Sequence, residues 1–425
     1  MKIIEVEFTK IVGEGKSLGR KDGKVVFSYG VLPGEVALVR VVKEKKNFID
    51  AQVVEIKKES PYRIKPLESH YLECSPWQII DYNKQIEFKK NLIEDILFQT
   101  TKETIKINKF YQSPSIYGYR TKIEYSFTNI NNKVDIAFHK RGDYSTKIVL
   151  DRGCALIDER ANRKALDILK EINALNMSSS PLKSLIIRIS KRYNKTLSAL
   201  FLKDKNYNLS LKNADNDGFI CVYSNPLSSI SSVDEILGVS GDDFITERIC
   251  GIDFDYGFDC FFQNNIELFE LSINEIKNFV KESKKIIDFY CGVGIIGIIL
   301  SDISKEVLLV ESNGSSINYA RKNIIKNGIR NAKTINIESE KLDFSYFEDS
   351  DAVILDPPRN GLHKNVIKNI MKSLPPKLVY LSCNPITQGR DLNFFLEKYK
   401  IKSSMSFDFY PNTPHMENLV LLERK

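Results

Sequence analysis

The chain contains no CxxC pair: its seven cysteines, at positions 74, 154, 221, 250, 260, 291 and 383, are odd in number and scattered. Such spacing excludes a disulfide framework and a zinc ribbon, and reduced thiols are expected. No apolar run reaches the length of a membrane span, and Met1 to Glu5 lack the basic and apolar regions of a secretory leader. A cytoplasmic protein without a membrane partner is therefore expected. What the sequence does contain is ordinary globular material, 425 residues with 42% hydrophobic and 28% charged side chains. That length exceeds a usual single core and calls for two or three domains.

The formal charge of +7 is unevenly spread, with fourteen Lys and Arg against nine Asp and Glu in residues 1 to 66. On charge alone, an anionic partner and a solvated basic face explain this equally well. Short β-type runs fill the same segment at Ile3 to Phe8, Lys24 to Ser28, Glu35 to Val42 and Asp50 to Ile56, separated by Gly13, Gly15, Gly19, Gly30, Pro33 and Gly34. The pattern predicts a small all-β barrel over 1–58. Arg20, Lys21, Lys43, Lys45 and Lys46, with the ring of Phe48, supply cations and an aromatic face suited to an RNA backbone and a stacked base. Ser60 to Pro66 reads as a linker. The glycine-rich Gly13 to Arg20 turn and the Leu32 to Glu35 corner resemble those of the TRAM domain, an RNA-binding barrel of OB type.

Residues 59–255 read as an α+β middle domain. Helical spacing predicts a helix near 83–99, placed to pack on the catalytic domain, and another over Arg160 to Ala174; strands are expected within Tyr119 to Leu150 and at Leu185 to Ile189, Ser198 to Leu202 and Phe219 to Tyr223. From 256 to 425, helices and buried strands alternate, including an expected helix over Ile273 to Lys281. This predicts a doubly wound, mostly parallel sheet, an α/β catalytic domain of Rossmann-like form.

Several strands of that domain end in polar corners. Val353 to Leu355 runs into Asp356, Pro357, Pro358 and Arg359; Leu378 to Leu381 runs into Ser382, Cys383, Asn384 and Pro385; His415, Met416 and Glu417 precede Leu419 to Leu422. Open α/β sheets bind ligands at such strand ends, which makes Cys383 a candidate nucleophile. Asp288 closes a further strand, and Gly292, Gly294 and Gly297 follow at the spacing G-x-G-x-x-G. Glu311, nineteen positions after Gly292, ends the next strand where a carboxylate can receive both ribose hydroxyls of an adenosine. A nicotinamide dinucleotide and S-adenosylmethionine fit that pair alike. Asp288 favours the second, because a carboxylate is awkward beside a pyrophosphate and suits a sulfonium and an amino group.

Taken together, Phe262 with Gln263, Asp288 to Gly294, Asp356 to Arg359, Ser382 to Pro385 and His415 to Glu417 resemble, in order, the motifs of the RNA uracil-5 methyltransferase family over nearly the full chain. The resemblance implies S-adenosylmethionine contacts at Gln263, Tyr290, Glu311 and Asp356, a nucleophile at Cys383 and a base at Glu417. It implies an RNA partner, 23S ribosomal RNA on the strength of the barrel with transfer RNA as the alternative; the oligomeric state is not legible in the sequence, and a monomer is the favoured expectation. Many members hold an iron–sulfur cluster on four cysteines of the middle domain, three of them close after the linker. Here Glu68 to Gln78 keeps only Cys74, with Cys154 in the fourth position. Two thiolates do not supply a four-cysteine site, so no cluster and no metal are expected, with Trp77 filling the space. Two rivals remain open: a methyltransferase acting on a base nitrogen without covalent chemistry, and an RNA-binding protein without catalysis.

Overall fold

The structure is a computed structural model describing residues 2–207 and 217–425; Met1, where the expected barrel begins, and 208–216, within the expected middle domain, lie outside the described residues. At the N-terminus β1 (Ile3–Ile11), β2 (Ser17–Lys21), β3 (Lys24–Tyr29), β4 (Val36–Glu44) and β5 (Phe48–Lys58) close into a barrel of order β1-β2-β3-β5-β4. Inward-facing Val6, Phe8, Val26, Ala37, Val39 and Ile49 fill it. The stretch Gly13 to Arg20, expected as one turn, turns only over Gly13–Gly15 and then extends as β2. Gly19 belongs to the strand because the β1 backbone crosses so closely that a Cβ there would lie 2.4 Å from the Glu7 carbonyl oxygen.

The expected linker is a strap. Buried Glu35 receives Ser60 N–H at 3.1 Å and Arg63 Nε at 2.6 Å, so the segment leaving the barrel is bonded to the Leu32 to Glu35 corner. Beyond it come α1 (Tyr71–Cys74) and α2 (Tyr82–Thr101), the latter started by Asp81, whose carboxylate accepts Asn83 and Lys84 N–H. Strand β6 (Lys109–Tyr111) follows.

The middle sheet has order β13-β12-β11-β10-β7-β8-β9, from β7 (Lys122–Ile130), β8 (Lys133–Lys140), β9 (Asp143–Val149), β10 (Leu182–Ser190), β11 (Lys195–Leu202), β12 (Gly218–Tyr223) and β13 (Glu235–Ser240). Between β9 and β10, α3 (Glu159–Ala174) lays Ala161, Ala165, Ile168 and Ile172 on one face, against Leu185 and Ile187. The opposite face, with Ile186, Ala199 and Phe201, shares a continuous core with the hairpin β14 (Phe244–Ile249) and β15 (Ile252–Gly257) and with the catalytic sheet.

The C-terminal region is built from α4 (Ile266–Val280), β16 (Lys285–Phe289), α5 (Ile295–Leu300), β17 (Glu306–Glu311), α6 (Gly314–Lys326), β18 (Ala332–Asn336), β19 (Ala352–Leu355), α7 (Lys364–Ser373), β20 (Lys377–Ser382), α8 (Pro385–Phe395), β21 (Tyr399–Phe407) and β22 (Glu417–Arg424). Helix α4 starts seven residues before the expected Ile273, because Asn265 caps it on Leu268 N–H and its first turns bury Leu268 and Phe269. The sheet order is β18-β17-β16-β19-β20-β22-β21-β6, with β22 the one strand running against its neighbours. The expected span 59–255 thus does not stay in one sheet: β6 joins the catalytic sheet beside β21, and α2 packs on α8, where Asn393 Nδ2 donates to Thr100 O at 2.8 Å. No helix among the described residues is long and apolar enough to cross a membrane.

Candidate active site

Every expected catalytic and cofactor residue except Gln263 comes to one edge of the catalytic sheet. In the parallel part, Phe289 pairs with both Val310 and Leu355, so Tyr290, Glu311 and Asp356 stand level at the ends of β16, β17 and β19. Strand β20 delivers Cys383 to the same edge. Because β22 runs the other way, it begins where β20 ends: Ser382, next to Cys383, pairs with Asn418, next to Glu417, and Glu417 stands near enough to push up the Cys383 thiol. Residues separated by thirty-four positions in the chain are thereby neighbours.

The elbow carrying Cys383 is locally determined. Pro385 occupies the first turn of α8, Asn384 caps it by accepting Ile386 N–H at 3.1 Å, and Ser382 Oγ accepts Asn384 N–H at 3.1 Å. Asn384 Nδ2 donates to Arg359 O at 2.8 Å, tying this elbow to the Asp356 to Arg359 corner.

A cleft lined by Phe261, Gln263, Asp288, Tyr290, Gly292 and Asp356 opens beside that edge. Gly292 and Gly294 have φ of 55° and 88°, which lets the chain reverse tightly between β16 and α5. Asp288 is only 1% exposed; its Oδ2 accepts Gly297 N–H at 2.8 Å, while Oδ1 has no hydrogen-bond partner. Gly297, the last glycine of the motif, is a packing residue, since a Cβ would lie 2.2 Å from Leu309 Cδ2 and 3.0 Å from Asp288 Oδ2. Glu311 accepts Gly292 N–H at 3.0 Å and Asn313 N–H at 2.7 Å, bracing the loop around the cleft. Gln263 is buried with Oε1 unpartnered. Unpaired buried acceptors call for a donor from outside.

The electrostatics point the same way. Burial pushes the Asp288 carboxyl up to about 8, helped by Asp356 and Glu311, and burial pushes Asp356 up to about 7. Glu417 lies well above the usual carboxylate range through burial and the nearness of Asp356, with Arg359 opposing. The Cys383 thiol is pushed up to about 12 by burial, then by Glu417 and Asp356, again with Arg359 opposing. Three carboxyl groups and a thiol gathered at one sheet edge, each resisting ionisation through burial, favour a cation. The amino group and sulfonium of S-adenosylmethionine suit them, and a pyrophosphate does not.

Sequence reasoning missed the groups that hold this edge in place. Lys89 of α2, wholly buried, donates to Asp408 Oδ1 at 2.5 Å and to Tyr410 O at 3.0 Å, and Tyr82 OH donates to Asp408 Oδ2 at 2.9 Å. Gln85 exchanges two hydrogen bonds with Asn412, each 2.9 Å, and Trp77 N–H donates to Asn412 O at 3.0 Å. Together they clamp the loop 408–416 leading into Glu417. Gly15 of the barrel abuts Pro414 of this loop, and Trp77 Nε1 donates to Gly15 O at 3.3 Å. From the middle sheet, buried Arg188 donates to the carbonyls of Phe258 and Cys260, and Thr121 Oγ1 donates to Gln263 O at 2.9 Å, setting the segment that carries Gln263. The apolar periodicity of α2 marked a helix but gave no sign that its buried lysine would find an aspartate 319 residues away.

On the barrel, Arg20 pairs with Val25, Val25 pairs with Phe48, and Lys45 N–H bonds Phe48 O, so the expected cations of β2 and of the β4–β5 loop share one rim. Arg20, Lys21, Lys43, Lys45 and Lys46 are exposed. Phe48 is half-buried; Phe27 meets it edge-on with centroids 6.1 Å apart, and Lys45 Nζ stands 5.4 Å from its centroid. Its expected role as an open stacking face is therefore shared with its own lysine.

The middle region brings Cys74 and Cys154 together, but alongside Glu68 and His70. Two sulfurs, an imidazole and a carboxylate do not form the four-thiolate set of an iron–sulfur cluster. Trp77 is turned into an apolar group with Ile11, Leu32, Ile79 and Ile80.

A family model described as tRNA (Uracil-5-)-methyltransferase matches residues 229–425. An uncharacterized RNA methyltransferase of Prochlorococcus marinus is 33% identical, covering 93% of this chain and 99% of its own. One of Caldanaerobacter subterraneus subsp. tengcongensis is 29% identical over 100% of this chain and 99% of its own. Among solved structures, the Pyrococcus abyssi tRNA (uracil-54, C5)-methyltransferase in complex with S-adenosyl-L-homocysteine has the same fold, with a TM-score of 0.80, 24% identity and coverage of 98% of this chain and 100% of that one.

Proposed function

This chain belongs to the RNA uracil-5 methyltransferase family, and from that premise we propose that it methylates carbon 5 of a uridine in 23S ribosomal RNA through a transient Cys383–carbon 6 bond. The observation that carries this reading is the meeting of Cys383 and Glu417 at the adjoining ends of β20 and β22, both near enough to feel Asp356, which lines the cofactor cleft. S-Adenosylmethionine, for which Gln263, Asp288, Tyr290, Gly292 and Asp356 line the cleft while Gly294 and Glu311 shape the loop beside it, would supply an electrophilic methyl group when bound.

Carbon 5 of uracil is too weak a nucleophile to take that methyl group unaided. Cys383 solves this as a thiolate, its proton released to solvent before attack: the sulfur bonds carbon 6 and sends the 5,6 π pair into the ring as an enolate with its charge on the carbonyl at carbon 4. Sulfur suits the task because it adds and leaves readily. Once carbon 5 carries both a methyl group and a proton, Glu417 removes the proton; the C–H pair re-forms the double bond and the Cys383–carbon 6 bond breaks. A carboxylate lifted in basicity by burial matches this weak carbon acid better than an ordinary one. Arg359 at the pocket mouth lowers both Cys383 and Glu417, favouring the ionised forms the reaction needs. Carbon 5 is inaccessible within a stack, so the uridine is everted or taken from an unpaired loop.

The barrel's basic rim serves the RNA backbone. Exposed cations hold a backbone without reading its sequence, so the choice of 23S ribosomal RNA rests on the likeness of the barrel to the TRAM domain. Mapping 5-methyluridine in ribosomal and transfer RNA from cells with and without the protein tests the reading. Loss at a 23S uridine is expected; loss confined to transfer RNA moves the substrate, and an unchanged map overturns the reaction.

A further inference from the structure

We infer that Glu68, His70, Cys74 and Cys154 form a mononuclear zinc site that staples the strap behind the barrel to the middle sheet. Glu68 and His70 stand just before α1, Cys74 is its last residue, and Cys154 lies in the loop between β9 and α3. One donor atom from each lies within 4.8 Å of all the others. Glu68 Oε1 is 3.2 Å from His70 Nε2, and Glu68 Oε2 is 3.9 Å from Cys74 Sγ. Zinc bonds of about 2.0 Å to nitrogen or oxygen and about 2.3 Å to sulfur place tetrahedral donors about 3.3–3.8 Å apart. Small rotations suffice to close the observed set on an ion.

A second sign is that His70 Nε2 is buried and makes no well-aligned hydrogen bond, its contacts being the Glu68 carboxylate at 3.2 Å and the two sulfurs within 4.8 Å. An imidazole nitrogen held among a carboxylate and two sulfurs is suited to a metal. The surrounding bonds are those that orient ligands. Glu68 Oε2 accepts Gln78 Nε2 at 2.8 Å, and Oε1 accepts Ala155 N–H at 2.6 Å. The Asn162 amide clasps Cys154, accepting its N–H and donating to its carbonyl, both at 3.0 Å. Gly153, at φ 92°, lies so close that a Cβ would sit 2.2 Å from Asn162 Oδ1.

The donor types decide the metal class. Two sulfurs exclude the hard cations magnesium and calcium, and two are too few for a cubane cluster. A mixed set of two thiolates, an imidazole and a carboxylate, fully supplied by protein, is a closed structural zinc site. It would fix α1 and, through the adjoining Trp77 and Gln78, the support beneath the loop that carries Glu417.

The test is metal analysis of the full-length protein purified under reducing conditions, followed by replacement of the metal with Co2+. One zinc per chain is expected, with thiolate-to-cobalt charge-transfer absorption in the substituted protein. Cys154→Ser and His70→Ala should each weaken Zn2+ binding at least about tenfold in competition with a chromophoric chelator, whereas Cys250→Ser leaves it unchanged. Should a variant fail to fold, the cobalt spectrum of the unaltered chain decides. Absence of both metal and cobalt absorption in reduced protein, a Cys74–Cys154 disulfide that persists under reductant, or iron with inorganic sulfide would each overturn the inference.

Discussion

The barrel rim and the edge of the catalytic sheet both gather ionisable side chains, in opposite media. Arg20, Lys21, Lys43, Lys45 and Lys46 stand in water, where each charge is screened and their value lies in number. Asp288, Asp356, Glu417 and Cys383 stand in a dry pocket, where the protein resists every negative charge and each group is shifted upward. In the function proposed, the first arrangement holds a long anion without altering it, and the second withholds reactivity until a cationic cofactor and a pyrimidine enter. Affinity and chemistry are thus separated in space, although the barrel's Gly15 touches the loop that presents Glu417.

The sharpest way to break that comparison is at the two facing side chains. Cys383→Ala should lower methyl transfer about ten-thousand-fold or more and abolish the covalent adduct with 5-fluorouridine RNA, leaving RNA affinity intact. Glu417→Gln should slow turnover about a hundred- to ten-thousand-fold while the Cys383–RNA adduct accumulates, as a denaturing gel would show. Adduct formation without Cys383, or none in the Glu417 variant, would mean that the dry edge does not divide the labour in this way.

A smaller effect sharpens the contrast in medium. With the thiol pushed up to about 12, the thiolate fraction in the free protein rises with pH. Alkylation of Cys383 by iodoacetamide should therefore increase about tenfold per unit between about pH 7 and 9. Removing the opposing cation with Arg359→Ala should slow it, and Glu417→Gln should speed it. A plateau below pH 8 would show a thiolate already present and a pocket less resistant to charge.

The smallest change is expected at the wet end. Replacing Arg20, Lys21, Lys45 and Lys46 with Ala should weaken RNA binding several-fold and reduce the slope of log affinity against log salt by about 0.7–0.9 for each phosphate no longer neutralised. The rate at saturating RNA should not change. A fall in that rate would show the barrel placing the uridine as well as holding the RNA.

Legibility followed the range of the interactions. The barrel strands, α2, α3 and most catalytic strands were readable because apolar periodicity is local. Missed elements, β2, β6 and the early turns of α4 among them, depend on neighbours the pattern does not record: Gly19 against the β1 backbone, Asn108 N–H bonding Ser404 O, and the burial of Phe269. The site divided likewise. Asp288, Asp356 and Cys383 announced themselves as polar residues ending apolar runs. Lys89, Arg188 and His70 did not, since a lone cation or imidazole on an amphipathic stretch carries no mark of the partner it will meet.

What the sequence by itself determined was the inventory of the proposed reaction: a thiol, a carboxyl group, a glycine turn and acidic strand ends, each in the local context that exposes it. The tertiary structure alone decided that β22 enters the sheet beside β20 in reverse, setting Glu417 against Cys383, and that Glu68 and His70 close around two thiols eighty residues apart. Strand order and register are settled by burying two sheet faces at once, a global condition that no short stretch of chain expresses.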